Sequence, residues 1–213
     1  MAKRRKVGNL LGLAVLSTVV ERPMHPYEMT SKLRERGKEQ DLDIKIGSLY
    51  TVVRNLEKAG FIDVVETDRV GARPERTIYQ VTVAGVAEMV DWVRELVAEP
   101  QPERPKFKAG LSLAAVLGPE QLAALLRQRL AALEETGAAR RRQVDGYAGK
   151  VPRLFLLEDE FESAIRDAEA AWIRAFLEEL ESGDFPDLEM WRAMVAQIAD
   201  RYGLPHERGG ERP

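Results

Sequence analysis

IGSLYTVVRNLEKAGFI, residues 46–62, is the stretch from which the rest of the chain can be read. At ~100° per residue, Leu49, Val52, Val53, Leu56 and Ala59 gather on one face of a helix. Tyr50, Thr51, Arg54, Asn55 and Lys58 gather on the other. The spacing predicts a helix from about Ile46 to Ala59, with Gly60 as the turn residue that ends it. An outward face holding a tyrosine, a hydroxyl, an amide and two cations has the groups that DNA reading requires. Arginine forks onto guanine edges or phosphate, and Asn, Thr and Tyr add further hydrogen bonds. Ser48 at the start of the helix joins Tyr50, Thr51, Arg54, Asn55 and Lys58 as a candidate DNA contact. An ordinary solvated face would look similar, and Tyr50 could simply pack, so the flanking sequence has to decide.

Downstream, residues 61–67 and 76–82 are rich in Val, Ile, Thr and Tyr, and they flank a loop with Gly71 and Pro74. This predicts a two-stranded antiparallel hairpin. The loop region carries Arg69, Arg73 and Arg76 against Asp68 and Glu75, a mixed charge that suits positioning on phosphates better than base reading. Upstream, residues 9–20 (NLLGLAVLSTVV) are apolar nearly all round, as in a helix enclosed by other elements. Arg22-Pro23 breaks it. His25-Pro26 opens a second helix, Pro26 fitting a first-turn position that needs no N–H. It runs to about Arg36 with Met29 and Leu33 inward, stops at Gly37, and is followed by a polar connection over 38–43. Three helices and a hairpin outline a winged helix-turn-helix. A fourth helix, about residues 84–98, places Val86, Met89, Val90, Val93 and Val97 on one stripe.

Residues 99–107 contain three prolines and read as a linker. Beyond them the chain is predicted to be wholly helical. One helix starts at Pro119 and carries a seam of Leu122, Leu126, Leu130 and Leu133; its continuation past Gly137 is left open by the sequence. A second, about residues 158–181, presents Phe161, Ile165, Ala168, Trp172 and Phe176. A short third covers about 187–202, and the Gly/Pro/charge-rich tail 203–213 is expected to be disordered. The expected fold is mainly α: a winged helix-turn-helix with a two-stranded β wing over 1–98, the linker, and an all-α helical dimerisation domain over 108–202. Two or three helices cannot bury such apolar seams alone, hence the expected homodimer.

Composition narrows the function classes. The 213 residues are 45% hydrophobic and 31% charged, in keeping with a soluble chain and a packed core. There is no cysteine, which removes disulfides, thiolate zinc sites and cysteine nucleophiles, and two histidines are too few for a His-rich metal site. Residues 1–80 carry 15 Lys+Arg and 11 Asp+Glu (+4), residues 81–213 carry 17 and 24 (−7), so a basic front and an acidic back face different partners. The cluster Lys3, Arg4, Arg5, Lys6 before the uncharged residues 7–20 resembles a secretory signal, but no A-x-A-like cleavage site follows and the run is too short to span a bilayer. A buried helix, no membrane segment and a cytoplasmic location are expected. The basic cluster itself reads either as solvated disorder or as an arm reaching for DNA. The acidic run Glu158, Asp159, Glu160, Glu162 is favourable charge at a helix N-terminus rather than a metal site. No nucleophile–base pair, phosphate loop, cofactor motif or metal cluster is present, so an enzyme is not expected.

Three ordered motifs, HPYEM (25–29), IGSLYTVVRNLEKAGFI (46–62) and GARPERTIYQVTVAG (71–85), resemble the PadR-type transcriptional regulators. The resemblance implies a homodimer whose winged domains bind palindromic double-stranded DNA and whose C-terminal helices complete the dimer. It also implies a small aromatic or hydrophobic effector as a candidate partner, because some members release DNA when a small molecule binds. Trp92 and Trp172 are the candidate walls for such a ligand, although tryptophans more often serve core or dimer packing. No cofactor or metal is implied. The competing reading is a winged-helix module for protein–protein assembly, which would fill the outward face of the third helix with apolar residues.

Overall fold

The computed structural model describes residues 5–37, 46–68, 76–100, 102, 105–147 and 149–203. The elements are α1 (Leu10–Val19), α2 (Pro26–Glu35), α3 (Ile46–Lys58), β1 (Ile62–Asp68), β2 (Arg76–Val81), α4 (Val83–Ala98), α5 (Lys106–Ser112), α6 (Pro119–Asp145), α7 (Leu157–Ser182) and α8 (Leu188–Tyr202). The chain divides into two compact units, Met1–Glu103 and Arg104–Pro213. The expected disorder of the tail beyond Gly203 and the connection at 38–43 fall outside the described residues.

The first unit is a winged helix. Its core is α1, whose Leu11, Val15, Leu16 and Val19 are buried, with Met29 and Leu33 of α2 and Leu49, Val52, Val53 and Leu56 of α3. α1 and α2 start where their sequence satisfies free N–H groups of a first turn. Asn9 caps α1 by accepting from Leu11 N (2.9 Å), and His25 caps α2 through Nδ1 accepting from Tyr27 N (3.1 Å), with Pro26 following. His25 is thus a helix-starting residue. Thr18 sits fully buried in α1 because its hydroxyl donates to Val15 O at 2.8 Å. Gly37 and Gly60 close α2 and α3 at φ 72° and 77°.

β1 and β2 pair antiparallel, Ile62 opposite Val81 and Val64 opposite Tyr79, with a bulge between Val64 and Glu66. The pairing extends beyond the expected hairpin. Met24 N donates to Tyr79 O (3.0 Å) and Tyr79 N to Met24 O (3.1 Å), so the α1–α2 connection adds a one-residue bridge along β2. At the base of the wing, Thr82 N donates to Phe61 O (3.0 Å), Thr82 Oγ1 donates to Gly60 O (2.8 Å), and the same oxygen accepts from Gly85 N (3.0 Å). Gly85 is the point of closest approach. A Cβ on it would lie 2.0 Å from the Phe61 carbonyl oxygen, so α4 can only begin here with glycine.

α4 turns Gly85 and Trp92 inward, while Val83, Val90, Val93 and Val97 of its apolar side remain exposed. In the second unit α5 begins at Lys106, so Lys106 and Phe107 belong to a helix rather than to the expected linker at 99–107. Phe107 is held there by the Arg129 guanidinium, 3.9 Å from its ring centroid. α6 runs unbroken through Gly137 and lies antiparallel to α7; a Cβ at Gly137 would touch Arg166 Cδ at 3.3 Å, so glycine lets the two helices close. Leu122, Ala123 and Leu126 pack with Ile173, Leu177 and Trp191. The Leu122–Leu133 seam is therefore used within the chain. Of the Phe161, Ile165, Ala168, Trp172 and Phe176 stripe, the first three stay exposed and only Trp172 and Phe176 find aromatic neighbours, because α7 has two apolar faces and commits Ala170, Ile173 and Leu177 to the core. Register is set by Arg127–Glu181, Arg174–Glu134 and Arg129–Glu169, each 2.5 Å, with Trp191 Nε1 donating to Leu117 O (2.8 Å) to seat α8.

Replacing Gly85 by Ala is expected to destabilise the protein by about 1–3 kcal/mol or more, since backbone rather than a movable side chain opposes the new methyl. Gly110→Ala, on an open stretch of α5 with nothing within 4 Å, is the control and is expected to be neutral or slightly stabilising. Urea titrations of both variants check the contrast.

Candidate nucleic-acid interface

Burial fixes which way α3 faces. Leu49, Val53 and Leu56 are each 0–1 % exposed, while Ser48, Tyr50, Thr51, Arg54, Asn55 and Lys58 all lie on the exposed side. At one edge the Tyr50 ring meets the His25 ring edge-on, centroids 6.4 Å apart, so the α2 cap supports the tyrosine at the margin of the face. Thr51 Oγ1 donates to Gly47 O (3.1 Å), which orients the hydroxyl with its lone pairs outward. Beneath the face, burial pushes the Tyr79 phenol above its ordinary pKa, nearby Glu57 adding to the effect and Arg54 opposing it. It stays neutral and belongs to the core.

The charges on the two neighbouring helices are disposed of differently. On α2, Lys32 and Arg36 both bond Glu21, and Arg22 just ahead of it pairs with Glu28 at 2.9 Å. On α3, Arg54 and Lys58 form no ion pair among the described residues. Both cations are exposed and, among the described residues, no carboxylate pairs with them. That arrangement attracts a polyanion and leaves the guanidinium fork available for a base edge or a phosphate. In the wing, Arg73 lies outside the described residues; Arg76 opens β2, but its side chain also lies outside them.

Arg5 departs from the reading of residues 3–6 as free or DNA-reaching. Its side chain is only 4 % exposed and lies against α4, with Nη1 bonding Glu88 (2.7 Å) and Asp91 (3.3 Å) and Nη2 bonding Glu95. Three carboxylates spaced along one face of α4 form a site for one guanidinium, a pattern split by more than eighty residues of sequence. Burial disfavours the charge, but the hydrogen bonds it donates to Glu88 and Glu95 outweigh this, so the pKa of Arg5 is raised above its ordinary value. The same guanidinium covers Trp92 at 5.2 Å from the ring centroid, and the indole is 4 % exposed. Trp92 is therefore occupied, not an open ligand wall. Trp172 is 44 % exposed and stacks on Phe176 at 5.3 Å, within an aromatic row that also includes Phe107, Phe185 and Trp191. Sequence reasoning named Trp172 but not Phe107, which sat in the expected linker.

Among the described residues, no helix is long and apolar enough to cross a membrane. Residues 15–91 match the Transcriptional regulator PadR-like family. No curated protein matches the chain. Solved structures do. PadR of Bacillus subtilis in complex with operator DNA is 18% identical with a TM-score of 0.64, covering 80% of this chain and 99% of that one. The same protein in complex with p-coumaric acid is 16% identical at 0.64, covering 81% and 99%. A PadR-like regulator from Bacillus cereus is 17% identical at 0.56, with the same coverage of 81% and 99%. At these identities the likeness establishes the fold, a winged helix with a C-terminal helical region.

The Glu21 clasp gives a pH-dependent test of how α2 is held. Hydrogen bonds from Lys32 and then Arg36 hold the Glu21 carboxyl below its ordinary pKa. A lowered value in the folded state means stability that is present above the ordinary carboxylate range and lost as pH falls through the folded value. Because the carboxylate is 40 % exposed, the contribution is limited to about 1 kcal/mol or less. Glu21→Gln is expected to lower stability by that amount at neutral pH, with the difference closing in acid. Equal differences at both pH values in urea titrations would show that the clasp contributes nothing.

Proposed function

From the premise that residues 15–91 are a PadR-like transcriptional-regulator domain, we propose that the protein is a sequence-specific DNA-binding regulator that acts as a homodimeric repressor. The observation that carries this reading is the outward face of α3, where Arg54 and Lys58, without an ion pair among the described residues, stand beside Ser48, Tyr50, Thr51 and Asn55 over an apolar base. A recognition helix laid in the major groove needs that combination: a fixed orientation, a forked cation for a base edge, and short polar groups for further edges and phosphates. Arg73 and Arg76 are assigned to phosphates at the wing. The operator complex of the Bacillus subtilis protein, which shares the fold, supports the assignment. An assembly module would place its apolar surface on α3, but Tyr50 is the one exposed large hydrophobic side chain there among the described residues, while α4 exposes Val83, Val90, Val93, Leu96 and Val97.

Dimerisation follows from those surfaces. Leu154, Phe155, Phe161, Ile165 and Trp172 are all well exposed in the single chain, and covering such apolar side chains favours association with a second copy. A two-fold dimer would carry two copies of α3 to half-sites about one DNA turn apart. The fold shared with a protein whose complex holds p-coumaric acid favours a small aromatic effector, and Trp172 is the residue we assign to it.

Two measurements test the proposal. Tyr50→Ala with Arg54→Ala should leave folding intact by circular dichroism, since exposed substitutions change stability by about 0.5 kcal/mol or less. Affinity for duplexes selected by the unaltered protein from a random pool should fall by roughly 10–1000-fold, for the loss of a base contact and a phosphate contact. A folded double variant with unchanged affinity would overturn the DNA reading. Light scattering at micromolar concentration should report a dimer, and a stable monomer would remove both the dimer and the palindromic operator.

A further inference from the structure

The residues between Arg5 and α1 have no part in the interface as described so far, yet they form one wall of a cleft beside it. The cleft has a volume of about 500 Å³. Lys6 and Asn9 stand on one side, and Gly47, Ser48, Thr51 and Asn55 of α3 on the other. On the helical wheel of α3 the outward face runs from Tyr50, next to His25, round to Ser48, Thr51 and Asn55. The cleft therefore occupies the flank opposite the tyrosine. A helix in a major groove ~12 Å wide is walled by a phosphate strand on each side, so this flank faces backbone rather than bases.

Its chemistry suits an anion. Among the described residues, no carboxylate lines it. Lys6 has no ion pair among the described residues; its ammonium lies 5.8 Å from the Phe61 ring centroid. Asn9 uses Oδ1 to cap α1, which leaves its amide NH₂ as a donor. The segment is also rigidly held. Arg5 is bonded to Glu88, Asp91 and Glu95, Val7 is 7 % exposed in the core, and Asn9 is tied to Leu11 N. Alternate residues are anchored, and Lys6 is carried between two of them. The two adjacent cations thus have different work: Arg5 holds the segment to α4, and Lys6 is presented to the cleft.

We propose that the cleft between residues 6–9 and the flank of α3 seats a DNA backbone phosphate, with Lys6 supplying the charge, Asn9 a hydrogen bond, and Arg5 acting as a positioning residue. The inference rests on the DNA-binding reading and adds a contact to it that neither the recognition face nor the wing provides. Because it involves a phosphate only, it is independent of sequence.

Fluorescence anisotropy of the full-length protein on a duplex of arbitrary sequence, over a salt series, tests it. Lys6→Gln is expected to reduce the magnitude of the salt slope by about 0.9, the value for one phosphate contact, and to weaken arbitrary and selected duplexes by the same factor. Asn9→Asp keeps the capping acceptor but replaces the donor with a charge, so it should weaken binding while leaving unfolding in urea unchanged. Arg5→Met should reproduce the Lys6 defect, and adding Lys6→Gln to it should cost little more, a non-additivity that a purely structural role would not produce. An unchanged slope for Lys6→Gln, in a protein whose Tyr50/Arg54 double variant has lost DNA, would overturn the phosphate seat and leave the DNA reading standing. Failure of the unaltered protein to bind any duplex would overturn both. Lys6-dependent binding of free inorganic phosphate without a change of salt slope on DNA would make the cleft a small-anion site and overturn the proposal as stated.

Discussion

Everything the winged unit presents to a partner depends on the burial of three side chains, Leu49, Val53 and Leu56. They lock α3 against α1 and α2 with no exposed surface to spare. Burying each contributes about 1.5–3 kcal/mol relative to exposure. Rotating the helix by one residue would expose a large part of that surface and bury a cation in its place. Few alternatives of comparable stability exist, so the outward set of polar residues is fixed as firmly as the core itself. The recognition face is in this sense a by-product of packing, and its rigidity means that little ordering entropy is lost when it meets a rigid groove.

The cations of the unit are sorted by the partners the fold supplies. Lys32 and Arg36 converge on Glu21, Arg22 on Glu28, and Arg5 on three acids of α4. Among the described residues, Arg54 and Lys58 of α3, Lys6 and Arg94 of α4 form no ion pair. Pairing elsewhere silences charges that would otherwise draw a polyanion to the wrong surface. A modest excess of positive charge in residues 1–80 thereby becomes a directed field rather than a diffuse one. The acidic second half has the opposite arrangement, with its charges spent across the α6–α7 contact.

How far the sequence could be read depended on whether each interaction was local. The faces of α3, the opening of α2 at His25-Pro26, the stops at Gly37 and Gly60 and the hairpin all follow from residues within one or two turns of each other, and the structure has them as the spacing predicts. The wing arginines fall outside the described residues or have side chains that do. Contacts across long separations were illegible. The site that takes Arg5 is assembled from Glu88, Asp91 and Glu95, and nothing in the cluster at residues 3–6 distinguishes Arg5 from Lys6. The Met24–Tyr79 bridge involves a single residue between Pro23 and His25, too short for any alternation to show. Phe107 was hidden by the prolines around it, and α7 misled because both its faces are apolar; only a partner helix decides which one turns inward.

The glycine at position 85 has a mechanical corollary. With the Phe61 carbonyl against its backbone and Thr82 bonded to both Gly60 and Gly85, the first turn of α4 and the root of the hairpin have no slack between them. They translate and rotate as one piece. A displacement of α4 is therefore coupled to the wing through these contacts, and a wing held on a surface opposes a swing of α4. The three acids that grip Arg5 stand on this same helix, so α4 is the lever from which both the hairpin and the segment ahead of α1 are hung.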